Sequence, residues 1–154
     1  MIQHAHFVPS INTSPKTPAT PLGRSLGLRI NNRTTMINKV REGLDVNVVI
    51  HLSKTMGLTE QAVAKLALIT TRTLTRRKTE GKLRTDESDR LARIAMVFDE
   101  AVDMFNGDKT KASHWFTTPK KALGGASPTD YVDTEIGVQE VRNLIARIRH
   151  GVFA

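Results

Sequence analysis

The densest chemistry in this sequence lies between residues 70 and 84. Thr70-Thr71-Arg72-Thr73 surrounds a guanidinium with hydroxyls, and Arg76, Arg77, Lys78, Lys82 and Arg84 follow with Glu80 as the one acid among them. Such a set suits a polyanion whose edges can be read. An arginine forks onto guanine O6 and N7, and a threonine offers a methyl to thymine and a hydroxyl to either base edge. Thr71, Arg72 and Thr73 are therefore the expected base-facing residues. Thr70 is the expected cap of the helix that carries them, and Arg76, Arg77, Lys78, Lys82 and Arg84 are the expected phosphate contacts, which position without specifying.

Other chemistry is scarce. With no cysteine in 154 residues, disulfides, thiolate zinc sites and a cysteine nucleophile are excluded. No Ser/His/Asp arrangement, H-E-x-x-H or phosphate-cradling glycine loop occurs, and Gly124-Gly125 lacks the Lys-Ser/Thr of a P-loop. His4 and His6 have no third ligand and read as solvated residues. His51 reads as the boundary of an apolar stripe, and His114 and Trp115-Phe116 as packing groups. Asp99, Glu100 and Asp103 read as a solvated helix face. The expectation is a protein that is not an enzyme and has no cofactor or metal.

The elements that must position the 70–84 cluster are helices. Leu44, Val48, Val49, Leu52 and Met56 recur on one helical face, and Gly57 ends it. Thr59 then caps a helix through Gln61, Ala64 and Leu66, and a third begins near Thr70 or Thr71 and ends by Gly81. Val63 through Leu74 thus reads as two short helices and a tight turn, the arrangement that lays its second helix in the major groove. Thr85-Asp86-Glu87-Ser88 resembles a capping box, opening a long amphipathic helix that runs through Leu91, Ile94, Phe98, Val102 and Phe105 to Asn106-Gly107. A short helix ends before Pro119, and Ser127-Pro128 starts another. Gly137 precedes a last helix with Val138, Val141, Ile145, Ile148 and Val152 on one face. The fold class is all-α.

Charge divides along the chain. Residues 1–35 hold four cations and no acid, residues 36–98 twelve cations and seven acids, and residues 99–154 seven cations and eight acids. The whole is +8, and the surplus stops near residue 98. The division expected is 1–35 a Pro/Thr-rich tail and arm, 36–98 a helix-turn-helix DNA-binding domain, and 99–154 a domain for another purpose. Residues 1 to about 25 read as mobile, because prolines among Ser, Thr and Asn bury too little to offset ordering. Leu26, Leu28 and Ile30 alternate with polar positions, as in a short strand or extended arm. The start lacks a basic stretch followed by an apolar run, and no segment reaches the ~20 apolar residues of a membrane span.

Residues 63–74 resemble the Cro/C1 type of helix-turn-helix, with one departure: Leu68 stands where that turn usually has glycine. The later motifs extend the likeness. Trp115-Phe116-Thr117-Thr118-Pro119, Ala122-Leu123-Gly124-Gly125-Ala126-Ser127-Pro128, Thr134-Glu135-Ile136-Gly137 and Arg147-Ile148-Arg149-His150-Gly151-Val152-Phe153 resemble the toxin-binding domain of the Xre/MbcA/ParS antitoxins, partners of RES-domain toxins. Arg41-Glu42-Gly43-Leu44, Gly81-Lys82-Leu83 and Glu87-Ser88-Asp89-Arg90-Leu91 match in the front half, so the resemblance covers about residues 36 to 154.

What the resemblance implies is a cytoplasmic bacterial antitoxin. It would neutralise a cognate RES-domain toxin that consumes NAD, bind operator DNA to repress the operon they share, and act as a homodimer or higher oligomer with the toxin. It also implies that the C-terminal end lies near the toxin's active site. A cleft for NAD accommodates a pyrophosphate and flat rings, so Arg147, Arg149, His150, Gly151, Val152 and Phe153 are the expected toxin-binding residues, with cations and a ring projecting together. The alternative is a free-standing helix-turn-helix transcription regulator whose C-terminal half dimerises or senses a ligand.

Overall fold

The computed structural model describes residues 21–151. The expected tail up to residue 20, with His4 and His6, and the expected toxin-facing Val152 and Phe153 lie outside the described residues.

Asn32 starts the first helix, α1 (Arg33–Glu42), by accepting a hydrogen bond from the Thr35 amide on its side chain, 2.8 Å. The apolar stripe expected from Leu44 onward begins later than its spacing suggests. Gly43 breaks the chain at φ 89°, where a Cβ would lie 2.4 Å from the Leu83 carbonyl oxygen. Leu44 is therefore a buried loop residue, and the helix proper is α2 (Asn47–Met56). Thr59 and Thr70 cap α3 (Glu60–Leu66) and α4 (Thr71–Glu80) through their hydroxyls, as expected. Next come α5 (Thr85–Met104), α6 (Lys109–Thr117), the short α7 (Pro128–Tyr131) and α8 (Glu135–Arg149).

Two boundaries differ from expectation. The N-cap of α5 is Arg84, whose amide donates to the Glu87 carboxylate at 2.9 Å. Thr85, one residue on, instead donates its hydroxyl to the Arg41 carbonyl at 2.9 Å and ties the end of α1 to the start of α5. Gly137 lies inside the first turn of α8. Thr134 is the cap, accepting from the Gly137 amide at 3.0 Å. A Cβ on Gly137 would fall 1.7 Å from the Tyr131 carbonyl oxygen, so the glycine is a point of contact between α7 and α8.

One apolar core runs through the described residues, from Leu26 and Ile30 through Leu52, Val63 and Leu74 to Phe98, Phe116 and Ile145. Helix α5 is its axis. It packs on α1 and α2 in the front half and on α6 and α8 in the back half, and it crosses residue 98 without a break. The Phe98 and Phe116 rings meet edge to face at 5.4 Å. Phe116 is fully buried as expected, whereas Trp115 is half-buried with the Lys120 ammonium 4.9 Å from its ring centre, and His114 is exposed.

The segment before α1 is a strap, and it corrects two expectations. Leu22 and Ile30 pair as a single antiparallel bridge around a 3-10 turn, Arg24–Leu26, with Ser25 and Leu26 buried. Leu26 and Ile30 thus belong to the core, with Leu22 and Leu28 packed against it. The acids read as a solvated face of α5 hold this strap and α8 in place. Arg24 donates to both carboxylate oxygens of Asp103 at 3.0 Å, the Ser25 amide donates to Asp99 at 3.2 Å, and Arg142 donates to Glu100 at 2.9 Å. Asp99 is only 8% exposed, and burial pushes its carboxyl above the ordinary aspartate range.

Candidate nucleic-acid and protein interfaces

The sequence of α4 sets its orientation. Leu74 and Arg77, three residues apart, share the inward face, while Thr71, Arg72, Thr75, Arg76, Lys78 and Thr79 are exposed. Arg72 and Arg76 are one turn apart, with Thr75 between them on the same face. Thr75 has the i+3 spacing from Arg72 that could have singled it out in the sequence. Thr73 is half-buried, and its hydroxyl accepts from that of Thr70 at 3.0 Å, so both groups are engaged in the cap.

Arg77, expected as a phosphate contact, is a buried structural cation at 2% exposure. Its Nε donates to Glu87 at 2.8 Å, its Nη2 to the same carboxylate at 2.8 Å, and its Nη1 to Glu80 at 3.1 Å. The hydrogen bond with Glu87 holds the guanidinium well above its usual pKa, and the same bond draws Glu87 below the glutamate range against the opposing effect of burial. The pair joins α4 to the start of α5 and ties the two helices together. Periodicity could have revealed this, because Arg77 stands three residues from the core residue Leu74. Lys78 pairs with Glu60 of α3 at 3.3 Å, both partly exposed, and Lys82 is exposed where its backbone bridges to Asp45.

The turn between α3 and α4 keeps its left-handed residue without glycine. Leu68 has φ 58° and is 58% exposed. A side chain in that region costs roughly 1–2 kcal/mol. What holds the turn is the bond from Arg90 Nε to the Ala67 carbonyl at 2.7 Å, together with the Ile69 amide bonded to the Ala64 carbonyl at 2.8 Å and burial of Ala67 and Ile69.

At the other end, α8 places its terminal residues differently from expectation. Two residues apart on a helix are about 200° apart around it, so Arg147 and Arg149 do not project together. Arg149 and His150 are exposed and line a groove of about 450 Å3 with Glu100, Arg142 and Ile145. Arg147 is half-buried on another side, with its Nε out of contact with water and without a hydrogen-bond partner among the described residues. Gly151 is exposed with φ 66° and turns the chain off the helix. Among the described residues no group of His, Asp and Glu is arranged to hold a metal ion, and no helix is long and apolar enough to cross a membrane.

Two family descriptions fit these two regions. Residues 35–96 match the antitoxin Xre-like helix-turn-helix domain, and residues 100–151 match the antitoxin Xre/MbcA/ParS C-terminal toxin-binding domain. Their junction falls within α5. The chain is 38% identical over 142 residues to a protein of Yersinia enterocolitica named Antitoxin Xre, covering 92% of this chain and 96% of that one. An Antitoxin Xre of Photorhabdus laumondii matches with the same identity and coverage. A Sphingobium protein named Prs ADP-ribosylating antitoxin is 32% identical over 81 residues, 47% of this chain and 50% of that one.

Proposed function

Because this chain belongs to the Xre family of antitoxins, with a helix-turn-helix domain in front and a toxin-binding domain behind, we propose that it represses its own operon through α4 and neutralises a cognate RES-domain, NAD-consuming toxin through the end of α8. The observation that carries the DNA half is the exposed face of α4, where Arg72, Thr75 and Arg76 stand over a buried Leu74. Thr71 and Arg72 read bases from the first turn, joined by Thr75, while Thr70 and Thr73 hold the cap that aims them. Arg76, Lys78, Lys82 and Arg84 contact phosphates, Lys78 exchanging Glu60 for the DNA backbone, since an exposed ion pair is worth at most about 1 kcal/mol. Arg77 is left out of this set.

For the toxin half, support comes from the exposed Arg149 and His150 at the end of an amphipathic helix whose other face is fixed to α5. In this reading the chain beyond Arg149, with Gly151, Val152 and Phe153, occludes the toxin's dinucleotide site, and Arg147 supports that end from its half-buried position. The ADP-ribosylation in the Sphingobium relative's name is chemistry of an NAD-derived group, which is compatible with such a partner.

Paired variants test both halves. Arg72→Ala should weaken operator binding by about 1–3 kcal/mol and relax specificity at one base position while toxin inhibition stays intact. Deleting residues 150–154 should abolish inhibition and weaken the toxin complex with operator affinity unchanged. Operator titrations and NAD-consumption assays with the co-expressed neighbouring toxin read the two outcomes. A deletion that inhibits as well as the full chain rules out occlusion, and a chain that neither co-purifies with that toxin nor rescues growth is a free-standing regulator.

A further inference from the structure

Where α2 ends against α6, a cleft of about 570 Å3 is lined by cations and hydroxyls and by no acid. Lys54 comes from the last turn of α2, and Lys109, Thr110 and His114 come from α6. These four residues are exposed, and neither lysine takes part in an ion pair among the described residues. The hydroxyls of Thr55, Ser113 and Thr117 are donated to backbone carbonyls, which leaves that of Thr110 as the free one in the cleft. The acid nearest in sequence, Asp108, is occupied as the cap of α6, accepting from the Lys111 amide at 3.0 Å. A cleft without an acid stands out in a back half that holds more acids than cations.

Its walls are fixed. The Ser113 hydroxyl donates to the Met56 carbonyl, and Gly57 passes so close that a Cβ there would stand 3.4 Å from the same hydroxyl oxygen. The cleft also lies beside the helix-turn-helix. Gly57 lines it, and Glu60, the first residue of α3, follows within about 10 Å of chain. Glu60 is the partner of Lys78 at 3.3 Å, the cation of α4 assigned above to a phosphate. In a helix-turn-helix the helix before the recognition helix crosses the DNA backbone. A strand seated at Lys78 and passing the start of α3 needs only a few nucleotides to reach the cleft.

We propose that this cleft is a second seat for the DNA backbone, in which Lys54 and Lys109 neutralise phosphate flanking the bases read by α4, and the Thr110 hydroxyl and a His114 ring N–H donate to its oxygens. The toxin-binding half then contributes, through α6, to holding the operator. The inference rests on the DNA-binding reading above.

Salt titrations of the full chain on its own promoter duplex and on an unrelated duplex test it, with Arg72→Ala alongside. Lys54→Ala and Lys109→Ala should each make the log–log salt slope less steep by about one. Each should weaken both duplexes by the same factor, since phosphates carry no sequence. Lys111→Ala, which removes an exposed cation of α6 that does not line the cleft, should leave the slope unchanged. Arginine at both positions 54 and 109 should keep the wild-type slope. Circular dichroism and toxin capture should be the same throughout. The proposal is overturned if Lys54→Ala and Lys109→Ala keep the wild-type slope while Arg72→Ala still relaxes specificity. It is equally overturned if Lys111→Ala loses as much slope, which would make the effect one of net charge. Lost toxin capture with intact operator binding would assign the cleft to the toxin instead, and a wild type indifferent to both duplexes would sink the DNA-binding reading together with this one.

Discussion

With Arg77 and Glu87 both nearly out of reach of water, their free energies of transfer are offset only by each other and by the bonds to Glu80 and to the Arg84 amide. Removing one partner leaves an uncompensated buried charge, so Glu87→Gln should cost about 3–5 kcal/mol in a chemical-denaturation midpoint analysis. The pair also sets the response to acid. Glu87 has a folded pKa below its ordinary 4.5, so its contribution is complete above that pH and is lost as pH falls through the depressed folded value. Wild-type stability should therefore fall more steeply below pH 4.5 than that of Glu87→Gln. Leu68 makes an opposite prediction. Its left-handed backbone is strained and its side chain exposed, so Leu68→Gly should raise stability by about 0.5–1 kcal/mol, the relief of strain exceeding the extra freedom of glycine in the unfolded chain.

Among the elements, α3, α4 and the long α5 were legible because their caps and apolar faces are local. Thr59 and Thr70 bond amides three residues away, and Leu91, Ile94 and Phe98 repeat within one helix. The strap and α1 were not legible. The alternation at Leu26, Leu28 and Ile30 reads as a strand, but the strap is a 3-10 turn closed by one bridge and ordered by Asp99 and Asp103, more than seventy residues later. For α1, with Met36 as its one buried residue, the signal lay in the Asn32 cap rather than in any apolar stripe. The corner between α7 and α8 shows the same dependence on distant geometry. Gly137 reads as a helix start but is required by the Tyr131 carbonyl. Gly137→Ala should lower stability by about 1–3 kcal/mol and weaken toxin capture more than operator binding, which calorimetry and the two binding assays would separate.

At the scale of the whole molecule, the +8 charge acts through its exposed members. If five to eight phosphates are neutralised per bound unit, operator affinity should fall with salt at a log–log slope of roughly −5 to −7. Arg76→Ala should reduce that slope by about one, whereas Arg77→Ala should show itself as lost stability, because that cation is spent on Glu87. Both halves respond to α5, which runs unbroken through the junction and makes the two regions parts of one packed body. By itself the sequence determined what depends on neighbours within a few residues: the all-α class, the helix-turn-helix, and the charge asymmetry between front and back. Only the tertiary structure decided which acids of α5 are solvated and that the strap before α1 is fastened to them. Those outcomes depend on which surface arrives from elsewhere in the chain to exclude water, and no local spacing encodes that arrival.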